Sequence, residues 1–495
     1  MKRKLTYIVL LLVLCSSCSD WLDVRPRNEM KETDMYAVEE GFKNALTGAY
    51  IQLASQELYG KLASMYIPEC LAQHWTFPTD KTTEMYNLGK YDYTHSKVEP
   101  VIERMWEKYY QCVVHLNNVL GNLKNTGVVF SYDNDKLIEG EALGLRALIH
   151  LELLRFFGPV PTVATSGDKA IPYAEAMTKD PDKLVTITYG EVLEKILRDL
   201  NAAEELLKID PILRGSNAQL NNPMNTFFWL EHPEDKPLDE WQFYRQVRFN
   251  YYAVLGAKAR YYHWIGDKEN AVKYAKMVIE AENRDGTSKF SLADETYYSS
   301  VASDLVMRCE HLFGIHNPDL QTIVLNLFKT ERTSLQQSVR NINTAYENGV
   351  HPDDIRNKEK RYWEERTYQN SKKVHHFRKY TGNDNFKQLN LVPILRLSEM
   401  YLILTEDLPL SEVKSYFSTY RISRNLDKSI EDKLSSEDAI LQILEKEYRK
   451  EFYGEGQMFF FYKRHNYKAF TWPKKLKLPA DAYQIPLPKS QSAFD

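Results

Sequence analysis

Cysteine is scarce in this sequence, which excludes a fold held together by a disulfide framework. Only five cysteines occur in 495 residues, and three of them follow Cys18: Cys70, Cys112 and Cys309. With an odd number at least one stays free, and no two of the three have the close spacing of a metal-ligand pair. We therefore expect these three side chains to be buried, unreactive thiols.

The sequence also lacks an excess of basic residues, which argues against nucleic acid as a partner. It contains 64 basic and 68 acidic residues. Removing residues 1–17 would delete three basic residues and no acidic one, leaving a formal charge of −7. A protein that binds polyanions needs a concentration of Lys and Arg that this balance does not provide.

Motifs of covalent catalysis are absent as well. The sequence has no phosphate-binding glycine loop, no GxSxG and no HExxH. His375 and His376 are adjacent, which is typical of surface histidines, and we interpret Asp353-Asp354 as a turn in preference to a calcium site. Glu364-Glu365 is expected to be an ordinary charged pair, although a glycosidase needs two carboxylates about 5 to 10 Å apart. We expect no enzymatic activity, no metal and no cofactor.

The only long apolar run lies at the N-terminus. Basic residues at positions 2–4 precede the run Leu5–Leu14, which is about half of the ~20 residues that span a membrane. Small serines then precede Cys18, an arrangement similar to a lipoprotein signal. It predicts that residues 1–17 are removed and that Cys18 is acylated. An ordinary cleaved signal and an uncleaved anchor remain alternatives.

Helical periodicity dominates the rest of the chain. In the segment 140–161, Leu143, Ala147, Leu151 and Leu154 share one helix face, and Gly158-Pro159 ends the helix. The segment 188–207 is also amphipathic, and Thr188 with Glu191 predicts a capping box at its start.

One stretch indicates how these helices pair. Residues 251–283 predict a helix, a turn at Gly266 and a second helix, with small Ala259 and Ala271 allowing close approach, and resemble one tetratricopeptide repeat. Further pairs are predicted at 140–157 with 188–207, 392–404 with 411–425, and 437–453 with 456–465. The sequence thus predicts a mainly α fold of about four tetratricopeptide-like pairs, with few short strands. Irregular insertions are expected at about 66–100, 208–246 and 285–390.

Aromatic residues are abundant: 33 Tyr, 21 Phe and 8 Trp make up 13% of the chain. Most of these rings must pack helices together. Tyrosine nevertheless suits a surface that stacks and forms hydrogen bonds at once. Long insertions rich in aromatic residues are more typical of functional loops than of disorder.

Several segments, taken in order, resemble the SusD/RagB family of nutrient-uptake lipoproteins of the Bacteroidetes outer membrane. The resemblance runs from Cys18 to the C-terminus, and GEALGLRALIHLELLRFFGPVP (140–161) is its most specific part. The other segments are CSDWLDVRP (18–26), EEGFKNALTGAYIQL (39–53), MWEKYYQCVVHLNNVL (105–120), VPILRLSEMYLILTED (392–407), EKEYRKEFYGEGQMFFFYKR (445–464) and YQIPLPKSQ (483–491).

This resemblance implies a single SusD-like domain over 18–495, with the helix pairs packed against an irregular ligand-binding face. It implies a lipid-anchored protein of the outer membrane, facing outward, that captures oligosaccharide and delivers it to a TonB-dependent transporter as its lid. In relatives the sugar contacts come mainly from irregular segments. The candidate ligand-binding residues here are therefore Trp75, Tyr86, Trp229, Trp241, Tyr297 and Tyr298.

Two other functions remain open at this point. The same lid role would suit oligopeptides, since some members of the family take peptide. A helical-repeat scaffold that assembles envelope proteins without a small ligand is the alternative from a different class.

Overall fold

A computed structural model describes residues 32–178, 184–300, 304–328, 335–358, 361–367, 373–381, 390–426 and 434–492. Its long helices are α1 (Glu39–Leu53), α2 (Glu99–Asn125), α3 (Asn134–Phe157), α4 (Tyr189–Leu206), α5 (Tyr251–Ile265), α6 (Lys268–Ile279), α7 (Leu397–Asp407), α8 (Leu410–Ser423), α9 (Glu437–Glu451) and α10 (Gln457–Arg464). Shorter helices span Glu32–Met35, Ile67–Leu71, Glu84–Leu88, Asn217–Leu220, Thr226–Glu231, Glu295–Ser300, Leu320–Phe328, Val339–Ala345 and Lys489–Ser492. The predicted mainly α fold is confirmed.

Successive long helices pack in pairs, as the sequence predicts. α3 packs against α4, α5 against α6, α7 against α8 and α9 against α10, and α1 with α2 adds a further pair at the N-terminal end. The predicted capping box at the start of α4 is present: Thr188 Oγ1 accepts from the Glu191 N–H, and Glu191 Oε2 accepts from the Thr188 N–H at 2.9 Å. α3 ends at Phe157, directly before Gly158-Pro159.

The α5–α6 pair has the predicted tight turn. Gly266 adopts a left-handed conformation with φ +80°, which a residue with a side chain rarely tolerates. Ala259 and Ala271 are fully buried between the helices, and the ring of Tyr262 stacks on that of Tyr274 with centroids 5.6 Å apart. α6 then packs against α7, so this pair is continuous with the next one.

The third predicted pair begins later than the sequence suggests. Residues 392–396, predicted to be helical, belong to a strand, and α7 starts only at Leu397. Pro393 explains the error, because proline disfavours the helical conformation in the residue before it and lacks a backbone donor. This strand pairs with a second buried strand from the 285–390 insertion.

Short antiparallel strands order the insertions. They are β1 (His311–His316), β2 (Gln336–Ser338), β3 (Trp363–Thr367), β4 (Lys373–Phe377), β5 (Leu391–Arg396), β6 (Ala469–Phe470) and β7 (Leu476–Lys477). β1 pairs with β5, β4 lies between β2 and β3, and β6 pairs with β7. The apolar stretch LFGI of the insertion is thus the core of β1, and the irregular regions contain few strands, as predicted.

The charged residues of the C-terminal motifs form a buried ion-pair network. Arg396 Nη1 donates to Glu451 at 2.9 Å and to Glu310 at 2.8 Å, and Arg424 Nη2 donates to the same two carboxylates at 2.9 and 2.7 Å. Burial alone would raise the pKa of Glu451, but the charges of Arg424 and Arg396 hold it well below its ordinary value. These motif residues therefore join β5, α8 and α9 and do not face a ligand.

Other expectations can be compared with the structure. Cys70 and Cys112 are buried and Cys309 is half-buried, and all three are free thiols. His376 is buried and its Nδ1 contacts the Phe328 carbonyl, so the expectation of a surface histidine is wrong there: neighbouring residues of a strand point to opposite faces, and only His375 is partly exposed.

Basic residues form ion pairs with Asp354, Glu364 and Glu365. Asp354 forms a bidentate ion pair with Arg356 in a buried turn. Glu364 and Glu365 lie on β3 and form ordinary ion pairs with Arg366 and Lys373. The described part of the chain contains no helix that is both long and apolar enough to cross a membrane. Cys18 lies outside the described residues.

Candidate functional site

A cleft of about 550 Å³ opens where the 208–246 insertion, with the residues that follow it, crosses the N-terminal helices and the β1–β5 sheet. α1 contributes one wall, the segment 240–248 the second, and the edge of β1 and β5 the third. Its principal side chains are those of Thr47, Tyr50, Trp241, Tyr244, Arg248, Arg308 and His316. The wall is largely apolar and aromatic with a few polar groups, the composition typical of a small-ligand site.

A buried ion-pair cluster holds the crossing segment in place. Arg245 Nη1 donates to Glu141 of α3 at 2.6 Å, and its Nε and Nη2 bind both oxygens of Asp210 at 2.9 and 2.7 Å. Tyr50 donates its hydroxyl proton to the other oxygen of Glu141 at 2.6 Å and accepts from the Phe249 N–H at 2.8 Å. Burial, followed by the charge of Glu141, raises the pKa of Tyr50 well above its ordinary value. Glu141, the acidic residue of the 140–161 motif, thus positions the cleft.

Trp241 forms the floor of the cleft. Its backbone N–H donates to Asp239 at 2.9 Å, and Asp239 is itself paired with Lys43 of α1. The guanidinium of Arg248 lies 4.1 Å from the indole centroid, and the Lys43 ammonium lies 5.9 Å from it. The indole Nε1 has no hydrogen-bond partner among the described residues. Trp241 therefore presents a ring with both a cationic neighbour and an unused donor.

Tyr244 stands at the mouth of the cleft, with 48% of its surface exposed. Its backbone is left-handed, with φ +57°, and its N–H donates to the Leu220 carbonyl at 3.0 Å. Such a conformation is uncommon for a bulky residue and is often found at ligand sites. Sequence reasoning missed Tyr244, because neither its backbone conformation nor its exposure has a signature in the sequence.

A second cavity of about 770 Å³ adjoins the first. Asn221, Gln246 and Arg308 line both, so these residues mark the boundary. The second cavity is more polar, with walls from the segments 214–221 and 283–291 and with Tyr297 at one side. The Tyr297 hydroxyl donates to Asp304, so its polar end is engaged while one side of the residue lines the cavity. We refer to the two adjoining cavities together as the groove.

The six residues predicted to bind ligand are separated in the structure. Trp241 and Tyr297 line the two adjoining cavities. Tyr86 is half-buried outside both, beside Lys90, whose ammonium lies 5.7 Å from its ring centroid. Trp75, Trp229 and Tyr298 have 1%, 4% and 3% of their surface exposed.

These three buried rings belong to packing clusters. Trp75 contacts the rings of Phe328, Trp363, Phe377 and Tyr453, with centroids 5.0 to 6.2 Å away. Trp229 packs between Phe228 and Phe243. The Arg361 guanidinium lies 4.4 Å from the centroid of Tyr298. Because these clusters surround them, none of the three offers an open ring face to a ligand in this conformation, and the ligand-binding role of the six stays a prediction.

Two groups of acidic and histidine side chains come close enough to suggest a metal site. His232, Glu234 and Asp235 form one, and His263, Glu406 and Asp407 form the other. An arginine occupies each: Arg284 pairs with Glu234 and Asp235, and Arg464 binds Glu406 at 2.5 Å. A guanidinium so placed satisfies the carboxylates and repels a cation. Neither group is therefore arranged as a metal centre.

Comparison with known proteins agrees with this architecture. Residues 20–212 match the family model SusD-like_3, described as "Starch-binding associating with outer membrane". A SusD-like protein of Formosa agariphila is 23% identical over 158 residues, which is 31% of this chain and 30% of that relative. The chain thus aligns with less than a third of that curated relative's length.

Solved structures match over nearly the whole chain. A SusD superfamily protein of Bacteroides thetaiotaomicron is similar with a TM-score of 0.69 and 19% identity, covering 92% of this chain and 97% of that one. A SusD-like carbohydrate binding protein of Bacteroides vulgatus matches with a TM-score of 0.65 and 15% identity over 92% and 96%. Surface glycan-binding protein A of Bacteroides fluxus matches with a TM-score of 0.61 and 16% identity over 92% and 97%. Residues 20–212 are thus similar to the SusD-like family, and the chain shares its helical fold with the solved SusD superfamily structures.

Proposed function

We propose that this protein binds an oligosaccharide in the groove formed by the two adjoining cavities and passes it to a TonB-dependent outer-membrane transporter, for which it acts as a lid. The observation that carries the binding part is the Trp241–Tyr244 cleft, which is lined by a half-exposed tyrosine, an indole and the guanidinium that lies over it. The binding of carbohydrate by a related protein of this fold supports it.

The chemistry of the cleft suits a sugar. A pyranose ring has an apolar face, and stacking on an aromatic ring removes that face from water. The hydroxyl groups at the edge of the sugar need hydrogen-bond partners, and the polar side chains of Asn221 and Gln246 line the cleft. The residues that line the groove form no recognisable catalytic group. We therefore assign to it the binding of a ligand without a chemical reaction.

The delivery part of the proposal concerns the helix pairs and the N-terminus. We assign the outer surface of the helix pairs to the transporter, since tetratricopeptide-like grooves suit protein surfaces. The lipid on Cys18 would hold the mature chain (18–495) at the outer membrane, facing outward. Replacing Cys18 by Ala is expected to release the protein from the membrane fraction. Full membrane retention of C18A with complete processing would contradict the anchor.

Binding can be tested with the purified mature protein. A broad glycan array identifies a ligand, and calorimetry then compares Tyr244→Ala and Trp241→Ala with Tyr416→Ala, a half-buried tyrosine of α8 outside the groove. Loss of one stacking ring is expected to weaken binding by about tenfold, that is ~1 kcal/mol or more, while Tyr416→Ala leaves affinity unchanged. Tyr86→Ala in the same series decides whether the 66–100 segment also contributes.

Three outcomes would overturn the proposal. If no glycan binds, or if both groove variants retain full affinity, the groove is not a sugar site. Peptides that co-purify with the transporter complex would favour the same lid role for oligopeptides. A transporter or envelope partner captured by a protein without any small ligand would favour a helical-repeat scaffold.

A further inference from the structure

Charge is distributed unevenly among the cavities of this acidic protein. The chain as a whole carries a formal charge of −4. The groove nevertheless has five basic lining residues, Arg214, Arg248, Arg284, Lys289 and Arg308, against three acidic ones, Asp235, Glu240 and Asp285. The cavity of about 850 Å³ between α2, α3 and α4 has three residues of each sign. A positive excess is thus concentrated at the proposed ligand site.

Among the basic side chains of the groove, Arg248 is the best placed to bind an anionic group. Its guanidinium lies over the Trp241 ring, 4.1 Å from the centroid. Its ion pair with Glu141 is long, with 3.5 Å between the guanidinium nitrogen and the carboxylate oxygen. The Glu141 oxygen in that pair already accepts the Tyr50 hydroxyl at 2.6 Å, and the other oxygen binds Arg245 at 2.6 Å. The carboxylate is therefore largely satisfied without Arg248.

The positive and negative members of this cluster differ in their exposure to the groove. Arg245 and Arg248 are matched in number by Glu141 and Asp210, but both carboxylates are fully buried behind the wall. Of the four groups only the guanidinium of Arg248, with 15% of its side chain exposed, lines the groove. A ligand in the groove thus meets the positive member of the cluster at short range and the negative members through the protein.

Arg308 supplies a second cation at the boundary between the two cavities. Its Nε donates to Asp304 at 3.1 Å, which fixes the side chain, and a quarter of that side chain is exposed. Its carbonyl accepts from the Gln246 amide at 3.2 Å, so the backbone is fixed as well. Arg308 lines both cavities together with Asn221 and Gln246.

We propose that the natural ligand is an acidic oligosaccharide, whose carboxylate or sulfate groups are bound by Arg248 and Arg308 while its rings stack in the groove. This rests on the proposed function and narrows it to a substrate class. A guanidinium suits planar or tetrahedral oxyanions because it donates parallel hydrogen bonds. Stacked on Trp241, the Arg248 guanidinium is held flat, so little conformational freedom is lost on binding.

The test uses matched probes. Oligogalacturonate is compared with its carboxyl-reduced form, and a sulfated carrageenan oligosaccharide with its desulfated form, by calorimetry on the mature protein. We expect at least one acidic member to bind tenfold or more tightly than its neutral counterpart. That affinity should fall as salt is raised from 50 to 500 mM, since added salt screens partly exposed charges. The carboxylate and sulfate pairs separate the two sources of charge.

Variants assign the effect to the two arginines. Arg248→Met and Arg308→Met are each expected to reduce acidic-probe affinity by about tenfold, the effect of one charge-assisted hydrogen-bonded contact. Arg366→Met on β3, where the side chain is 54% exposed, is the matched control. Arg248→Lys keeps the charge without the planar fork and shows whether loss in Arg248→Met reflects charge or packing.

The outcomes separate this inference from the proposed function. Tight binding of neutral probes that the arginine variants do not alter would overturn the acidic ligand and leave the glycan-binding groove intact. Acidic probes that bind equally to wild type and both methionine variants would also overturn it. If none of the four probes binds and the glycan array is blank as well, both proposals fail.

Discussion

Arg245 and Glu141 form an ion pair 2.6 Å long in which neither side chain is exposed to solvent. Arg245 lies in the segment that crosses the loop-rich face, and Glu141 lies on the scaffold helix α3. Together with Asp210 and Tyr50 they connect the proposed groove to the helix pairs. The position of the groove therefore depends on buried charges behind its wall.

Breaking this pair should destabilise the protein strongly. Arg245→Met removes the cation and leaves Glu141 and Asp210 buried without their principal partner, which typically costs about 3–5 kcal/mol of unfolding free energy. Urea denaturation followed by tryptophan fluorescence measures the change. Lys208→Ala is the control: its pair with Glu205 is solvent-exposed and screened by water, and we expect little or no loss of stability. An Arg245→Met cost as small as that of the control would show that the cluster does not hold the segment.

Trp75 and Tyr244 should separate stability from binding. Trp75 is surrounded by four aromatic rings, so Trp75→Ala is expected to lower the unfolding free energy by about 3–5 kcal/mol. Tyr244 is half-exposed, so Tyr244→Ala should change stability by about 0.5 kcal/mol or less while weakening ligand binding. Denaturation and calorimetry on the same two variants give both quantities. A stable Trp75→Ala protein with reduced affinity would restore Trp75 as a ligand contact.

Features of the fold that depend on local sequence could be predicted, and features that depend on distant contacts could not. Periodicity and capping located the helix pairs because they reflect local energetics, as at Thr188 and Gly266. The predicted start of α7 at residue 392 was wrong because both faces of β5 are buried. Its sequence therefore lacks the alternation of apolar and polar residues that would distinguish a strand from a helix. The family resemblance pointed only to aromatic residues of the irregular segments as candidates for ligand binding, and it does not distinguish Trp75 in a ring cluster from Trp241 in a cleft. That difference depends on contacts between residues far apart in the chain.

His150 should make stability depend on acid pH. Its Nδ1–H donates to the Arg146 carbonyl at 2.8 Å, and its Nε2 accepts from the Ala174 N–H at 3.2 Å, so the folded protein holds the neutral ring. Burial lowers its pKa from 6.5 to about 3. Between these values the unfolded chain binds the extra proton, and the unfolding free energy should fall as the pH decreases, by up to about 1.4 kcal/mol per pH unit.

Substitutions of the buried histidines test how the unfolding free energy changes with pH. His150→Gln is expected to be less stable at pH 7 but to lose stability less steeply between pH 6.5 and 4, measured by urea denaturation across the range. Buried His311, whose pKa burial lowers to about 4, should contribute a similar slope of its own. Parallel curves for wild type and His150→Gln would exclude His150 as the source.

Lys463 should give the same sign of pH dependence, but at alkaline pH. Its Nζ donates to the carbonyls of Phe156 and Gly158 at 2.9 and 2.7 Å, which satisfies acceptors left open at the C-terminal end of α3. Burial, followed by the charge of Arg155, lowers its pKa from 10.5 to about 7. From pH 7 to 10.5 the unfolded chain therefore binds more protons than the folded one, and this group makes the unfolding free energy rise with pH.

Lys463→Met should remove that rise and lower stability most at the alkaline end, where the neutral amine of the wild type still donates to both carbonyls at no charge-burial cost. We expect a difference of about 1–3 kcal/mol at pH 9.5, the typical cost of leaving buried acceptors unsatisfied, and a smaller difference at pH 6.5. Urea denaturation at both pH values measures it, with Lys208→Ala as an exposed lysine control. A difference between Lys463→Met and wild type that is the same at both pH values would mean that Lys463 keeps its ordinary pKa, and that the end of α3 is held by a charged ammonium.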